Sequence, residues 1–391
     1  MINYLLRMNQ PTLKAAQLRS LDEYKYVSEG RGASLLSPLL QPFWDWLEER
    51  VPLWVAPNLI TLLGLIFDMV PSLLLMYYSP TAREEAPAWV YLLVALGVFL
   101  YHTLDHIDGK QARRTGSATP LGNIFDHGCD AISVVLSTIA ILCAMKMGEE
   151  PGLMFLSLIN LAFFFYCFNW GQYLTGRFSY GWIEGPEMFS IAMGIHIVSA
   201  VFGPSVWSIN VPLIGLTARA AGMLILASLT AYKEIEVYSA ISMDMDALSP
   251  GLAFLLSVIQ ALAIYMTSPM ALFQTHPCLF LLMIGTTFAK LTSKLIVAHI
   301  TKSQMAILDS SMIGPGLLLL NQCFNSFVDE YILLWITLIF VTLDLAQYCF
   351  AICSQICEHL DIYCFSITSK PSTKGLKGKN NIHWNSTANK E

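Results

Sequence analysis

Between residues 105 and 130 the sequence runs DHIDGKQARRTGSATPLGNIFDHGCD, and its four aspartates are the side chains best suited to chemistry. Asp105 and Asp108 are three apart and Asp126 and Asp130 four apart, so on helices each pair shares one face. Two such helices, joined by the polar turn between them, bring four carboxylates together. An all-oxygen set without cysteine suits hard cations, Mg2+ or Mn2+, and a tetra-carboxylate can hold two ions about 4 Å apart, an arrangement suited to phosphoryl chemistry. The intervening residues fit a nucleotide diphosphate. Gly109 lets a ligand approach the backbone, Ala112 keeps the helix face low, and Arg113 offers a planar two-pronged donor to phosphate. Gly116 and Gly122 bracket the turn. A re-entrant turn in which Lys110, Arg113 and Arg114 merely mark the cytosolic boundary would not require four ordered aspartates.

The elements that must position these carboxylates cross a membrane. Of 391 residues 55% are hydrophobic and 13% charged, where soluble domains carry about 25% charged residues. Ten apolar blocks between residues 58 and 353 approach the length needed to span a bilayer, those near 187 and 312 being the weakest. The expected fold is an all-α polytopic membrane protein with about ten transmembrane helices. An N-terminal interfacial amphipathic helix is read from 35–54, LLSPLLQPFWDWLEERVPLW. A carboxylate in a span costs about 3 kcal/mol on insertion scales, which strengthens the argument for bound divalent cations.

The chain divides into a cytosolic N-terminal segment (1–57), a catalytic core (58–232), C-terminal transmembrane helices (233–365) and a disordered cytosolic tail (366–391). With both termini cytosolic, that side receives Arg50, Lys110, Arg113, Arg114, Arg177, Lys233, Lys302 and the tail lysines. The other side receives little beyond Arg83, Lys146 and Arg219. The carboxylates then face the cytosol, and the Asn385-Ser386-Thr387 sequon stays unglycosylated. No basic run suggests nucleic acid, no cleaved signal is expected, and the cysteines form no disulfide framework. Cys349, Cys353 and Cys357 recur along one helix face and receive no role.

The full spacing, Asp105-x2-Asp108-Gly109-x2-Ala112-Arg113-x8-Gly122-x3-Asp126-x3-Asp130, resembles the signature of the CDP-alcohol phosphotransferases. The likeness to the family's eukaryotic choline/ethanolamine branch extends through VPLWVAPNLITLLGL (51–65), HPCLFLLMIG (276–285), KLIVAHITKS (294–303) and FNSFVDEYILLW (324–335). The resemblance implies an enzyme that moves phosphocholine or phosphoethanolamine from CDP-choline or CDP-ethanolamine to diacylglycerol. It would release CMP in the endoplasmic reticulum or Golgi membrane. By position it implies that Asp105, Asp108 and Asp126 are metal ligands and that Asp130 is a ligand near the acceptor hydroxyl. Asn58, Asp105, Gly109, Ala112, Arg113 and Gly122 would form the cytidine-diphosphate pocket. His127 and Glu187 match the branch's proton-handling pair, and His127, about 100° round the helix from Asp126, is a plausible general base. Asp130 is its rival.

His106 stands where the branch commonly has a small residue, Asn123 where Glu is frequent, and CFNWGQYLTG (167–176) follows the branch only in part. Trp170 and Tyr173 persist there, and aromatic faces attract a quaternary ammonium, which favours choline. An enzyme preferring CDP-ethanolamine is the alternative within the branch. A divalent-cation transporter would also carry intramembrane acids, but would not need Gly109, Ala112 and Arg113 among them. Inositol or glycerol phosphate as acceptor would want more basic residues than Arg113 and Arg114. Membrane lipids surround the protein, and a homodimer is compatible with the sequence.

Overall fold

The computed structural model describes residues 12–24, 28–29, 34–179, 184–212, 215–241 and 244–367. The tail lysines, the sequon and most of the tail read as disordered lie outside these residues. The helices are α1 (Ala15–Asp22), α2 (Ser37–Glu48), α3 (Pro57–Tyr78), α4 (Ala88–Arg114), α5 (Pro120–Ala144), α6 (Pro151–Thr175), α7 (Gly185–Phe202), α8 (Ala218–Ala240), α9 (Met245–Thr267), α10 (Leu272–Thr275), α11 (Pro277–Ile300), α12 (Ile313–Cys323) and α13 (Glu330–His359). Strand pairing among the described residues is confined to Ser28–Glu29 with Phe178–Ser179 and Asn210–Val211 with Leu216–Thr217.

Each of the ten apolar blocks contains a helix, and among the described residues eight helices are long and apolar enough to cross a membrane. The two that fall short are α8, which carries Arg219, Lys233, Glu234 and Glu236, and α12, which is 11 residues long. The chain is therefore an all-α polytopic membrane protein, with eight rather than ten helices meeting both requirements. Proline at the first turn of α3, α5, α6 and α11 starts these helices where a backbone N–H has no partner to lose. Outward faces are apolar, as on α3 (Leu63, Phe67, Val70) and α13 (Ile332, Ile336, Ile339, Leu343).

α3 and α4 pack at backbone distance. A Cβ on Gly97 of α4 would overlap the Phe67 carbonyl of α3, so the two helix axes meet where glycine removes the side chain. Asp68 of α3 accepts hydrogen bonds from Ser133 (2.7 Å) and Ser137 (2.9 Å) of α5, which tie the third helix to the pair. At the end of α3 to α5 away from the aspartates, Arg83 donates to the Gly148 carbonyl at 2.7 Å and Lys146 pairs with Glu85 at 3.1 Å. Arg219 joins them through Glu149 and Glu150. The three basic residues assigned to the far side thus share one cluster.

α11 is the most enclosed of the spans, with Phe280, Leu281, Phe288 and Leu291 buried. Its Gly285 sits against Val135 of α5 so closely that a Cβ would overlap that side chain. The hydrophobic core runs without a break from α4 through α5 and α6 to α11 and α13. Residue 232 lies inside α8, and α9 to α13 contribute to the same core as the helices before them. Lys290 of α11 is buried on Asp344 of α13, and Asp309, in the segment before α12, lies 3.2 Å from Lys290 and 2.7 Å from Lys294. Burial alone would push the Asp309 carboxyl up, but Lys294 and Lys290 outweigh it and hold the group well below the usual carboxylate range.

Candidate active site

The last turns of α4 and the first turns of α5 run beside each other on one side of the bundle and carry the four aspartates. Carboxylate oxygens of Asp105, Asp108 and Asp126 lie within 4.8 Å of one another. The Asp105 carboxyl is also within hydrogen-bonding contact of both Asp126 and Asp130. Two of the four carboxylates are oriented from behind. Thr61 of α3 donates its hydroxyl to Asp108, and the Tyr101 phenol donates to Asp130. Neither supporting residue was singled out from the sequence. Tyr101 lies one helical turn before Asp105, so it occupies the aspartate face and the spacing could have marked it.

The donor set fits hard divalent cations. Its ligands are carboxylate oxygens, and Asp126 Oδ1 is buried with no hydrogen-bond partner, an acceptor whose burial an ion would offset.

The expected nucleotide residues sit beside the carboxylates. Arg113 is exposed and its Nη1 lies 3.6 Å from where a Cβ on Gly109 would be, so the guanidinium hangs over the glycine face and close to Asp108. Ala112 is half-buried on the same helix. Gly122 lies in the first turn of α5, its N–H donating to the Thr119 hydroxyl at 3.2 Å, and a Cβ added to it would lie 3.7 Å from Asn58 Oδ1. Asn58 is buried and donates to the Cys364 carbonyl at 3.0 Å. The chain after α13 therefore folds back onto the pocket, with Phe365 edge-on to Phe125 of α5.

The other basic residues of this stretch have different partners. Lys110 pairs with Asp45 of α2, and Arg114 donates to the Glu48, Glu49 and Val51 carbonyls at the end of that helix. Gln111 holds the Pro52 and Val55 carbonyls. The amphipathic helix is thus tied to the end of α4, with Trp44 buried and Leu39 and Trp46 exposed. Arg113 is left facing the pocket.

His127 is half-buried on α5, close enough to Asp130 and to His299 of α11 for their charges to interact. Glu187 is placed differently. Its carboxylate accepts from the Ser34 hydroxyl (2.7 Å) and from the backbone N–H of Leu36 (2.9 Å) and Glu184 (2.9 Å). It caps α7 and braces the N-terminal segment, and none of these partners is His127 or an aspartate. Trp170, expected to face a cationic headgroup, is buried with Nε1 donating to the Ala247 carbonyl at 3.0 Å and its ring against Gly251. Packing between α6 and α9 occupies it. Tyr173 instead lines a cavity of about 630 Å³ together with Tyr24, Asp246, His299 and Lys302.

A helical membrane bundle with a carboxylate cluster suited to divalent cations, and an arginine over a glycine face beside it, fits an enzyme that transfers a phosphate-linked group. Residues 54–178 match the sequence profile of the CDP-alcohol phosphatidyltransferases, a segment that holds all four aspartates. The chain is 43% identical over 379 residues to cholinephosphotransferase 1 of Xenopus laevis, covering 94% of each protein. It is 42% identical to that of Bos taurus over 93% of this chain and 91% of the relative, and 41% identical to that of Homo sapiens over the same shares. The chain belongs to the CDP-alcohol phosphatidyltransferase family.

Proposed function

We propose that this protein transfers phosphocholine from CDP-choline to diacylglycerol, giving phosphatidylcholine and CMP, and accepts CDP-ethanolamine as a second donor. The observation that carries the reading is the convergence of Asp105, Asp108 and Asp126 within 4.8 Å beside the Arg113–Gly109 cradle. The curated relatives named cholinephosphotransferase support choline as the first donor.

In this reading Asp105, Asp108 and Asp126, with Asp130 completing the set, hold two Mg2+ or Mn2+ ions. Such ions, when bound, neutralise charge on the pyrophosphate and on the leaving phosphate. Arg113 grips the pyrophosphate over Gly109 and Ala112, and Asn58 and Gly122 close the far wall of the nucleotide pocket. The diacylglycerol hydroxyl oxygen attacks the β-phosphorus and the bond from that phosphorus to the bridging oxygen breaks, so the bonding pair leaves with CMP. The hydroxyl proton passes to His127. Asp130 already accepts from Tyr101 and touches Asp105, which suits orientation better than proton uptake. Glu187, with three hydrogen bonds on its carboxylate, is proposed as the brace of the N-terminal segment rather than as a proton acceptor. The distribution of basic residues supports a site on the cytosolic side, in the endoplasmic reticulum or Golgi membrane.

The test is paired turnover of purified protein with CDP-choline and CDP-ethanolamine at saturating diacylglycerol. Higher kcat/KM for CDP-choline supports the assignment, a preference for CDP-ethanolamine reverses the donor order, and absence of CMP release with either removes the reading.

A further inference from the structure

A second group of potential ligands lies against the aspartates. One ring nitrogen each of His102 and His106, four apart on α4, and a carboxylate oxygen of Asp105 lie within 4.8 Å of one another. His102 is 3% exposed, and neither of its ring nitrogens has a hydrogen-bond partner. A buried polar group left unmatched is destabilising, and a cation bound to this ring would offset that cost. Both rings are held in place. Trp44 of α2, itself buried, stacks on His106 with ring centres 3.8 Å apart, and Phe189 of α7 covers His102 at 4.7 Å. His106 Nδ1 lies 3.6 Å from Asp105 Oδ2 and 3.0 Å from the His102 carbonyl.

Two imidazoles and one carboxylate are three of the four donors of a four-coordinate Zn2+ centre and suit it better than a hard cation. Mixed nitrogen and oxygen sites prefer Zn2+ over Mn2+ in the usual order of divalent affinities. We propose that His102, His106 and Asp105 form a zinc-class site next to the catalytic carboxylates, and that its occupancy withdraws Asp105 from them and stops turnover. The inhibitory part rests on the reading of Asp105 given above; the binding part does not.

The test uses the full-length protein in detergent with Mg2+ in excess, comparing wild type with the His102→Gln/His106→Ala double variant. Bound zinc after desalting and CMP release during ZnCl2 titration are measured separately. Wild type is expected to retain one zinc more than the variant, and its turnover to fall by an order of magnitude at a Zn2+ concentration that leaves the variant active. Equal zinc content in the two proteins, or equal inhibition of both, would overturn the proposal. Zinc held through the histidines with no loss of turnover would overturn the sharing of Asp105. Should the double variant not fold, Co2+ added to wild type decides the matter. The intense visible bands of four-coordinate Co2+ at one equivalent support the site, and only the weak bands of six-coordinate Co2+ refute it. A wild type that binds zinc but never releases CMP counts against the proposed activity and not against this site.

Discussion

The Thr61 hydroxyl of α3 donates to the Asp108 carboxylate of α4, so one helix of the closest-packed pair sets the aim of a carboxylate on the other. Groups that orient metal ligands typically contribute 10–100-fold to metal affinity or activity. Thr61→Val, which keeps the shape and removes the hydroxyl, is therefore expected to lower kcat by about tenfold and to move half-activation to higher Mg2+ concentration. CMP release measured across a Mg2+ series checks both. An unchanged Mg2+ curve would mean that Asp108 needs no such support.

His127→Ala tests where the acceptor proton goes. A diacylglycerol hydroxyl is a weak nucleophile near neutral pH, and loss of a general base lowers kcat by roughly 10²-fold or more. CDP-choline affinity should change little, because the nucleotide groups are Asn58, Gly109, Ala112, Arg113 and Gly122. Turnover at saturating diacylglycerol alongside equilibrium nucleotide binding separates the cases. Normal turnover moves the base elsewhere, and binding lost together with turnover makes His127 structural.

Gly97→Ala tests the helix pair beneath the site. The added methyl would overlap the Phe67 carbonyl, which belongs to backbone and cannot swing aside. Overpacking of this kind costs about 1–3 kcal/mol. A lower melting temperature in detergent, with residual turnover falling in parallel, is expected. Gly194→Ala, where a Cβ would meet nothing within 4 Å, should melt as the wild type does.

The Asp309–Lys294–Lys290 cluster gives a pH signature. Because the folded carboxyl titrates below its unfolded value of about 4, the cluster's contribution is present above that pH and is lost as pH falls toward the folded value. Asp309→Asn should therefore lower the melting temperature by a constant amount from pH 8 to about pH 5. The gap to wild type should narrow below about pH 4. A gap that widens on acidification would contradict the sign.

The aspartates and the helices that carry them were legible because spacings of three and four fix a shared face without knowledge of the partner helix. The ten apolar blocks were legible for the same local reason, while α8 and α12 fell short because charge and length limit a span as much as hydropathy does. Contacts made across helix crossings were not. Thr61 on Asp108, the Cys364 carbonyl on Asn58 and the buried setting of Trp170 depend on how helices meet. Lys110 and Arg114 read as boundary charges, yet they bind α2, since a positive charge near a membrane edge does not declare its partner. Glu187 carried an available signal, because Glu184-x2-Glu187 ahead of an apolar run is the spacing of a helix capping box, and the structure uses it as one.

The proposed transfer from CDP-choline depends on divalent cations held by the buried carboxylates. It is tested most directly by CMP and phosphatidylcholine release from protein reconstituted with diacylglycerol, before and after exhaustive chelation, in wild type and Asp126→Asn. Equimolar CMP and phosphatidylcholine are expected from wild type, with loss of both on chelation and their return with Mg2+ or Mn2+. The folded Asp126→Asn protein should show almost no turnover at any metal concentration. Undiminished release after chelation, or wild-type rates from Asp126→Asn, would contradict it.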